Sequence, residues 1–180
     1  MKSIDSFFLY VGNIKPHKGI HLLLDAFQRR KEEGDTRKLV IVGNQHDFKT
    51  NDENLSARLN SLSDNHDIIF TGFISQHYLI WLMKNASCLI QPSLYEGFGL
   101  PPLEAMHLGT PVILSDIPAF KELYNSFPVH FFKSNDSTSL SRAMKKEMSR
   151  IELDSDLKSL YNYKRTAEII INSLNHYIKS

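Results

Sequence analysis

The stretch from Pro92 to Glu104 reads Pro-Ser-Leu-Tyr-Glu-Gly-Phe-Gly-Leu-Pro-Pro-Leu-Glu and concentrates the residue types that could do chemistry. Pro101 and Pro102 suit the start of a helix, where a missing backbone N–H leaves no partner unpaired. The N-terminus of such a helix, near Leu103, offers free N–H groups and the positive end of a dipole, which favour an anion such as phosphate. Gly97 and Gly99 let the backbone come close to a ligand. Glu96 falls in the loop before the helix and Glu104 in its first turn. The dipole alone accounts for a glutamate at Glu104. It does not account for Glu96, which sits beside Gly-Phe-Gly.

A second loop adds positive charge: Gly12-Asn13-Ile14-Lys15-Pro16-His17-Lys18-Gly19. It is not a Walker A loop, because no glycine precedes the lysine and no Ser or Thr follows it. No Gly-x-Gly-x-x-Gly follows the first strand either. These absences weigh against P-loop nucleotide hydrolases and nicotinamide dehydrogenases. Lys15 and Lys18 still stand at the mouth of a helix starting near Gly19, where a lysine can neutralise phosphate. Lys15 reads more simply as a solvated loop residue, and Lys18 is the stronger candidate.

Those loops need a scaffold, and the apolar pattern supplies one. Phe7–Val11 is a continuous apolar run, the mark of a strand buried on both faces. Similar runs occupy 39–42, 68–70, 88–90, 111–114 and 129–132. Helical spacing lies between them. Ile20, Leu23, Leu24 and Phe27 share a face; so do Leu55, Leu59 and Leu62; so do Tyr78, Leu79, Leu82 and Met83; Leu103, Met106 and Leu108 form the next set. Alternating strands and helices predict an α/β, Rossmann-like, doubly wound parallel sheet of about six strands with helices on both faces. Residues 134–139 read as a polar turn. Helices are expected over 140–151, 157–161 and 163–178 at the C-terminal end, the last with Ala167, Ile170, Ile171, Leu174 and Ile178 on one face. Ligands of such a sheet bind at the carboxyl ends of the strands. The site is therefore expected in the loops after Val11, Val42, Phe70, Gln91 and Leu114.

Composition narrows the function classes. The chain has 180 residues, with 21 basic and 20 acidic side chains and a net charge of +1. That length predicts one domain, and the balanced charge argues against a nucleic-acid partner. One cysteine, Cys88, excludes an internal disulfide framework and a cysteine-rich zinc site. No apolar run approaches the roughly 18 residues that a membrane span needs. The expectation is a soluble cytoplasmic protein. Asp154-Ser155-Asp156 spells a metal-binding tripeptide but lies between helices, where a helix cap is the simpler reading. His17 and His21 have the spacing of two ligands on a helix, with no third ligand evident. Tyr78, Trp81 and Met83 read as packing residues, and Lys145-Lys146 as a solvated face.

Taken together, the first loop, the glycine that ends the second strand, Thr71-Gly72-Phe73-Ile74, Pro92 to Met106, Gly109-Thr110-Pro111-Val112-Ile113 and Ser115-Asp116-Ile117-Pro118 resemble family 4 glycosyltransferases. These are retaining enzymes of the GT-B architecture, and the resemblance runs from about Phe7 to Ile178. The paired glutamates, Glu96 and Glu104, with their Gly-Phe-Gly-Leu-Pro filling, are its signature. The resemblance implies that Glu96 faces the donor sugar and Glu104 binds the ribose hydroxyls. It implies that the backbone N–H groups of Gly97, Phe98, Gly99 and Leu100 hold sugar hydroxyls and phosphate. Lys18 matches the lysine that neutralises the diphosphate, so Glu96 and Lys18 are the expected catalytic residues. Gly12, Asn13, Gly43, Phe73, Ile74 and Ser93 complete the expected donor site. Where many members carry an arginine as a second diphosphate cation, this chain has Asn13, so either Lys15 substitutes or the site has one strong cation.

In the resemblance, residues 1–180 correspond to the C-terminal, donor-binding domain alone, and an N-terminal acceptor-binding domain is absent. The chain is then an excised or truncated piece, or a naturally short one whose acceptor domain acts in trans. The implied function is transfer of a sugar from a nucleotide-diphosphate sugar to a hydroxyl acceptor, in polysaccharide or glycolipid assembly. The isolated chain is expected to be inactive, and no metal or other cofactor is expected. The alternatives are a non-catalytic nucleotide-sugar-binding subunit that needs a separate acceptor-binding partner, and a nucleotide-sugar epimerase on the same architecture. Self-association through the last helix is expected if its apolar face is left uncovered. The intact enzyme is expected in the cytoplasm, at the inner face of the membrane where it is peripheral.

Overall fold

The computed structural model describes residues 6–43 and 65–160. Among them, six strands form one parallel sheet: β1 (Phe7–Val11), β2 (Lys38–Val42), β3 (Ile68–Gly72), β4 (Cys88–Gln91), β5 (Val112–Ser115) and β6 (His130–Phe132). Their spatial order is β3-β2-β1-β4-β5-β6. The chain thus winds outward from β1 in one direction, returns, and winds outward from β4 in the other. This is the Rossmann order, with the direction reversing between β1 and β4.

The apolar runs work because both faces of the sheet are covered. Phe8 and Tyr10 of β1 point to one side, with Leu39, Ile41 and Ile90. There they meet helix α1 (Ile20–Glu32) through Ile20, Leu23 and Phe27, and helix α5 (Ser137–Lys145) through Leu140 and Met144. Phe7 and Leu9 point to the other side, with Val40, Leu89, Val112 and Leu114. That side is covered by α2 (Gln76–Asn85), α3 (Leu100–His107) and α4 (Pro118–Tyr124), through residues such as Leu82, Met106 and Phe120. Burying each such side chain is worth about 1.5–3 kcal/mol, which makes these two layers the main source of stability.

Helix boundaries follow caps more closely than periodicity. The Ser75 hydroxyl accepts from the Tyr78 N–H and starts α2. The Asp136 carboxylate accepts from the Ser139 N–H and starts α5. The segment 134–139 is therefore a short turn followed by a capped helix. That helix stops at Lys145 rather than running to 151, because the Ile151 N–H is taken by the Gly109 carbonyl and Ile151 and Leu153 pack on the second apolar layer. Helix α4 has no counterpart in the sequence reading. It is seven residues long, opens on Pro118, and buries only Phe120 and Tyr124. The last described helix, α6, spans Ser155–Leu160. The Asp154 carboxylate accepts from the Leu157 N–H, so it caps α6. The helices expected around Leu55, Leu59 and Leu62 and over 163–178 lie outside the described residues.

Candidate functional site

The loops that follow β1 and β4 meet at the point where the winding reverses. The first enters a 3-10 turn over Pro16–Lys18, and Gly19 then takes a left-handed φ of +67° to start α1. The second runs from Pro92 to the start of α3. Two backbone features hold them together. The Leu94 N–H donates to the His17 carbonyl at 2.7 Å. Gly19 also packs so closely under Pro92 that a Cβ on it would lie 1.9 Å from the Pro92 carbonyl oxygen. Glycine is required there on both counts, conformation and space.

This contact brings Lys18 and Glu96 together. Lys18 Nζ donates to Glu96 Oε2 at 2.7 Å. The Glu96 side chain is 7% exposed and that of Lys18 21%, so the pair is shielded from most solvent screening. The other carboxylate oxygen, Oε1, accepts from Ser93 Oγ at 2.8 Å and more loosely from Gln91 Nε2 at 3.4 Å. Ser93 is itself fixed, because the buried Ser115 hydroxyl donates to its carbonyl. Beneath the first loop, the Tyr10 hydroxyl donates to the Asn13 carbonyl at 2.9 Å. Burial, with the Glu96 charge adding to it, pushes the Tyr10 phenol well above its ordinary range, so it remains a neutral donor.

The neighbouring loops extend the rim. The Gly12 N–H donates to the Val42 carbonyl at 3.0 Å, and a Cβ on Gly43 would meet the Gly12 carbonyl oxygen at 2.3 Å. Gly43 in turn bridges to Gly72. Phe73 is 81% exposed, and Ile74 tucks partly into the second apolar layer. Gly72 has a φ of +64° with open space around it, which is turn chemistry. Asn13 and Lys15 are exposed, and Lys18 is the cation paired at the centre.

Two expectations about the fourth loop need correction. Helix α3 starts at Leu100, with Gly99 as its left-handed N-cap, rather than near Leu103. Glu104 is consequently beyond the first turn, and the dipole does not account for it. It is exposed and lines an apolar groove of about 360 Å³ between α2 and α3, with Leu79, Leu100 and His107. Pro101 and Pro102 also remove two of the first four N–H groups of α3. Any anion at this end depends on Leu100, Leu103 and the loop amides before them. The two loop glycines differ as well. A Cβ on Gly99 would lie 2.7 Å from the Phe120 ring, whereas a Cβ on Gly97 would meet nothing within 4 Å. Packing explains Gly99. It leaves Gly97 open toward solvent, beside exposed Phe98 and Leu100.

The structure therefore joins Lys18, Ser93 and Glu96 into one cluster, arrays Gly12 and Gly43 beside it, and places Glu104 in the groove. Sequence reasoning missed Gln91 and Tyr10. The signal was available for Gln91: a polar residue ends the otherwise apolar run Cys88-Leu89-Ile90, and it is 2% exposed. A larger cleft, about 620 Å³, opens at the other end of the sheet. Three of its charged groups pair with each other. Asp35 pairs with Arg30 at 3.2 Å and with Arg37, and Arg37 also donates to the Met144 carbonyl at the end of α5. Among the described residues, no group of three His, Cys, Asp or Glu side chains could hold a metal ion, and no helix is long and apolar enough to cross a membrane.

Comparison with known proteins identifies the family and the fold. The chain is 35% identical over 144 residues to the O-antigen chain mannosyltransferase RfbU of Salmonella typhimurium, covering 80% of this chain and 39% of that protein. It is 28% identical over 188 residues to the serotype-specific mannosyltransferase WbdA of Escherichia coli, covering 98% of this chain and 22% of that one. The chain thus spans well under half the length of these curated relatives. Among solved structures, sucrose-phosphate synthase from Thermosynechococcus elongatus superposes with a TM-score of 0.77 at 24% identity, over 97% of this chain and 46% of that one. Residues 2–165 match the family described as glycosyl transferases group 1, and the chain belongs to that family.

Proposed function

We propose that this chain is the nucleotide-sugar-binding domain of a retaining glycosyltransferase. The observation that carries the reading is the shielded Lys18–Glu96 pair at the reversal point of the sheet, next in sequence to the open backbone at Gly97. A diphosphate has a cation there and the open backbone of Gly97. A sugar has a fixed carboxylate to accept from its hydroxyls. In this reading the bond between the anomeric carbon and the diphosphate oxygen breaks while Lys18 and the amides before α3 stabilise the growing charge. The acceptor hydroxyl then bonds to the same face of that carbon and gives its proton to the departing diphosphate oxygen. Glu96 orients the sugar and is not assigned as a covalent nucleophile. Glu104, at the edge of the α2–α3 groove, binds the ribose.

By name, one relative is an O-antigen chain mannosyltransferase and another a serotype-specific mannosyltransferase. They favour a mannosyl donor and a polysaccharide acceptor. Acceptor binding falls to a second domain, in the same chain or in a partner, and the whole enzyme acts at the cytoplasmic side of the membrane. No metal is assigned a role.

Thermal unfolding with UDP, GDP, ADP and their hexose conjugates tests the reading. A ligand at a hundred times its dissociation constant adds about 2.7 kcal/mol to stability. For a domain of this size that is roughly 5–10 °C. One base family is expected to give such a shift, and Glu104→Ala to reduce it. No shift with any of the three bases would refute a donor site in this chain.

A further inference from the structure

The two oxygens of Glu96 are held by different kinds of group. Oε1 is held by neutral donors, Ser93 Oγ at 2.8 Å and Gln91 Nε2 at 3.4 Å. Oε2 is held by a cation, Lys18 Nζ at 2.7 Å. A diphosphate competes strongly for an ammonium group and hardly at all for a hydroxyl or an amide already bonded to a carboxylate. The two holds therefore respond differently when a nucleotide arrives.

We propose that Gln91 and Ser93 are positioning residues that keep Glu96 in place while Lys18 is exchanged from Oε2 to the diphosphate, which frees Oε2 to accept a hydroxyl of the donor sugar. The proposal rests on the donor-site reading above and deepens it. The sugar hydroxyl then replaces the lysine as donor to the carboxylate. Without a clamp on Oε1, a carboxylate that has lost its cation would rotate toward water and the sugar contact would not form.

Gln91 carries the argument furthest. It is 2% exposed, and its one side-chain hydrogen bond among the described residues is the one to Glu96. Its own Oε1 is buried with no partner. A buried unpaired acceptor lowers stability, so a leucine would serve the fold of this strand end at least as well. The amide faces its N–H group to the carboxylate, because the reverse orientation would set oxygen against oxygen. What the glutamine contributes is therefore directed at Glu96. Ser93 is likewise fully buried and anchored from behind by Ser115.

The test is calorimetric binding to the 180-residue chain, with UDP, GDP or ADP, whichever binds, and with UDP-glucose, GDP-mannose or ADP-glucose to match. Wild type is expected to hold the sugar conjugate more tightly than the bare nucleotide. Glu96→Gln releases Lys18 beforehand, so the bare nucleotide should bind about tenfold tighter while the advantage of the sugar disappears. Gln91→Leu should leave bare-nucleotide affinity within about twofold and reduce the sugar advantage about five- to tenfold. Gln91→Met, which keeps the length of the side chain and removes the amide, carries the same prediction and serves if Gln91→Leu does not fold. A purely structural role would shift both ligands together. Equal weakening of both ligands in Gln91→Leu, or no change in either, overturns the positioning role. Unchanged bare-nucleotide affinity in Glu96→Gln overturns the exchange. Equal wild-type affinity for nucleotide and conjugate overturns the sugar contact while leaving the donor site standing. Failure of wild type to bind any of the three nucleotides overturns the donor-site reading and the inference with it.

Discussion

Replacing Gly19 with alanine should damage both the fold and the site, and the damage can be separated from the ordinary effect of removing a glycine. The added Cβ would lie 1.9 Å from the Pro92 carbonyl oxygen and 2.8 Å from its carbon. Both are backbone atoms, so no side chain can turn aside. To reach an ordinary contact of about 3.5 Å, the two loops must part by roughly 1.6 Å. The left-handed φ of +67° adds about 1–2 kcal/mol for a residue with a Cβ. Forcing an extra methyl into a packed contact adds about 1–3 kcal/mol. A total near 3 kcal/mol corresponds to a fall in Tm of roughly 6–12 °C for a domain of this size. Gly34→Ala is the internal control, because Gly34 has a φ of +85° with nothing within 4 Å of its virtual Cβ. It bears only the conformational part, about 1–2 kcal/mol. The same loop separation pulls Lys18 from Glu96, so Gly19→Ala should also lose its nucleotide-induced shift while Gly34→Ala keeps it. Thermal unfolding of the two variants, with and without nucleotide, decides the matter. Equal Tm losses for the two variants would refute the claim that contact with Pro92 is what requires glycine at position 19.

The acid limb of stability should depend on Asp35. Burial alone would raise its pKa, but hydrogen bonds from Arg37 and Arg30 outweigh burial and hold it at about 2 against 3.8 for a free carboxyl. Its contribution is therefore complete above about pH 4 and is lost as pH falls through about 2; denaturant unfolding from pH 5 to 2 should show a shallower decline in Asp35→Asn than in wild type. Cys88 is buried, and its burial pushes the thiol up to about 12 despite the nearby Arg37 charge, so iodoacetamide at pH 8 should label it at the rate of global unfolding rather than at that of a free thiol. Tyr124→Phe removes the hydroxyl that donates to the Gly99 carbonyl and should lower Tm by about 2–4 °C, for a loss of about 1 kcal/mol.

The six strands were legible in the sequence because a central parallel strand leaves little choice. Phe7–Val11 is apolar at every position, and both of its faces are in fact buried. The site loops were legible for a related reason, since strand ends marked by Gly12, Gly43 and Gly72 fix where the carboxyl edge lies. What remained hidden depended on contacts distant in sequence. Nothing in Leu100-Pro101-Pro102 says that Tyr124 reaches the Gly99 carbonyl and Phe120 closes over Gly99, yet these contacts fix the start of α3 one turn's breadth before Glu104. The end of α5 was hidden likewise, because the competitor for the Ile151 N–H is Gly109, more than forty positions earlier. Lys18 and Glu96 are separated by 78 positions, so the sequence could nominate each but not their contact.

That contact is a consequence of register. β1 pairs with β4 through Phe8↔Cys88 and Leu9↔Leu89, and this pairing sets the relative heights of the loops that follow. A slip of one residue would exchange the faces of β1, sending Phe8 and Tyr10 into the layer built for Phe7 and Leu9. A slip of two would restore the faces but move one loop past the other by roughly 6–7 Å, too far for Lys18 to reach Glu96. The close fit of Gly19 under Pro92 and the Leu94 to His17 hydrogen bond reject that second alternative, which hydrophobic burial alone would allow. The glycine thus does work that the core cannot: the apolar layers choose the face, the loop contact chooses the register, and the register brings the ammonium to the carboxylate. Changes in the two apolar layers should accordingly lower stability while leaving nucleotide binding intact up to the point of unfolding. Changes at Gly19 should weaken both together.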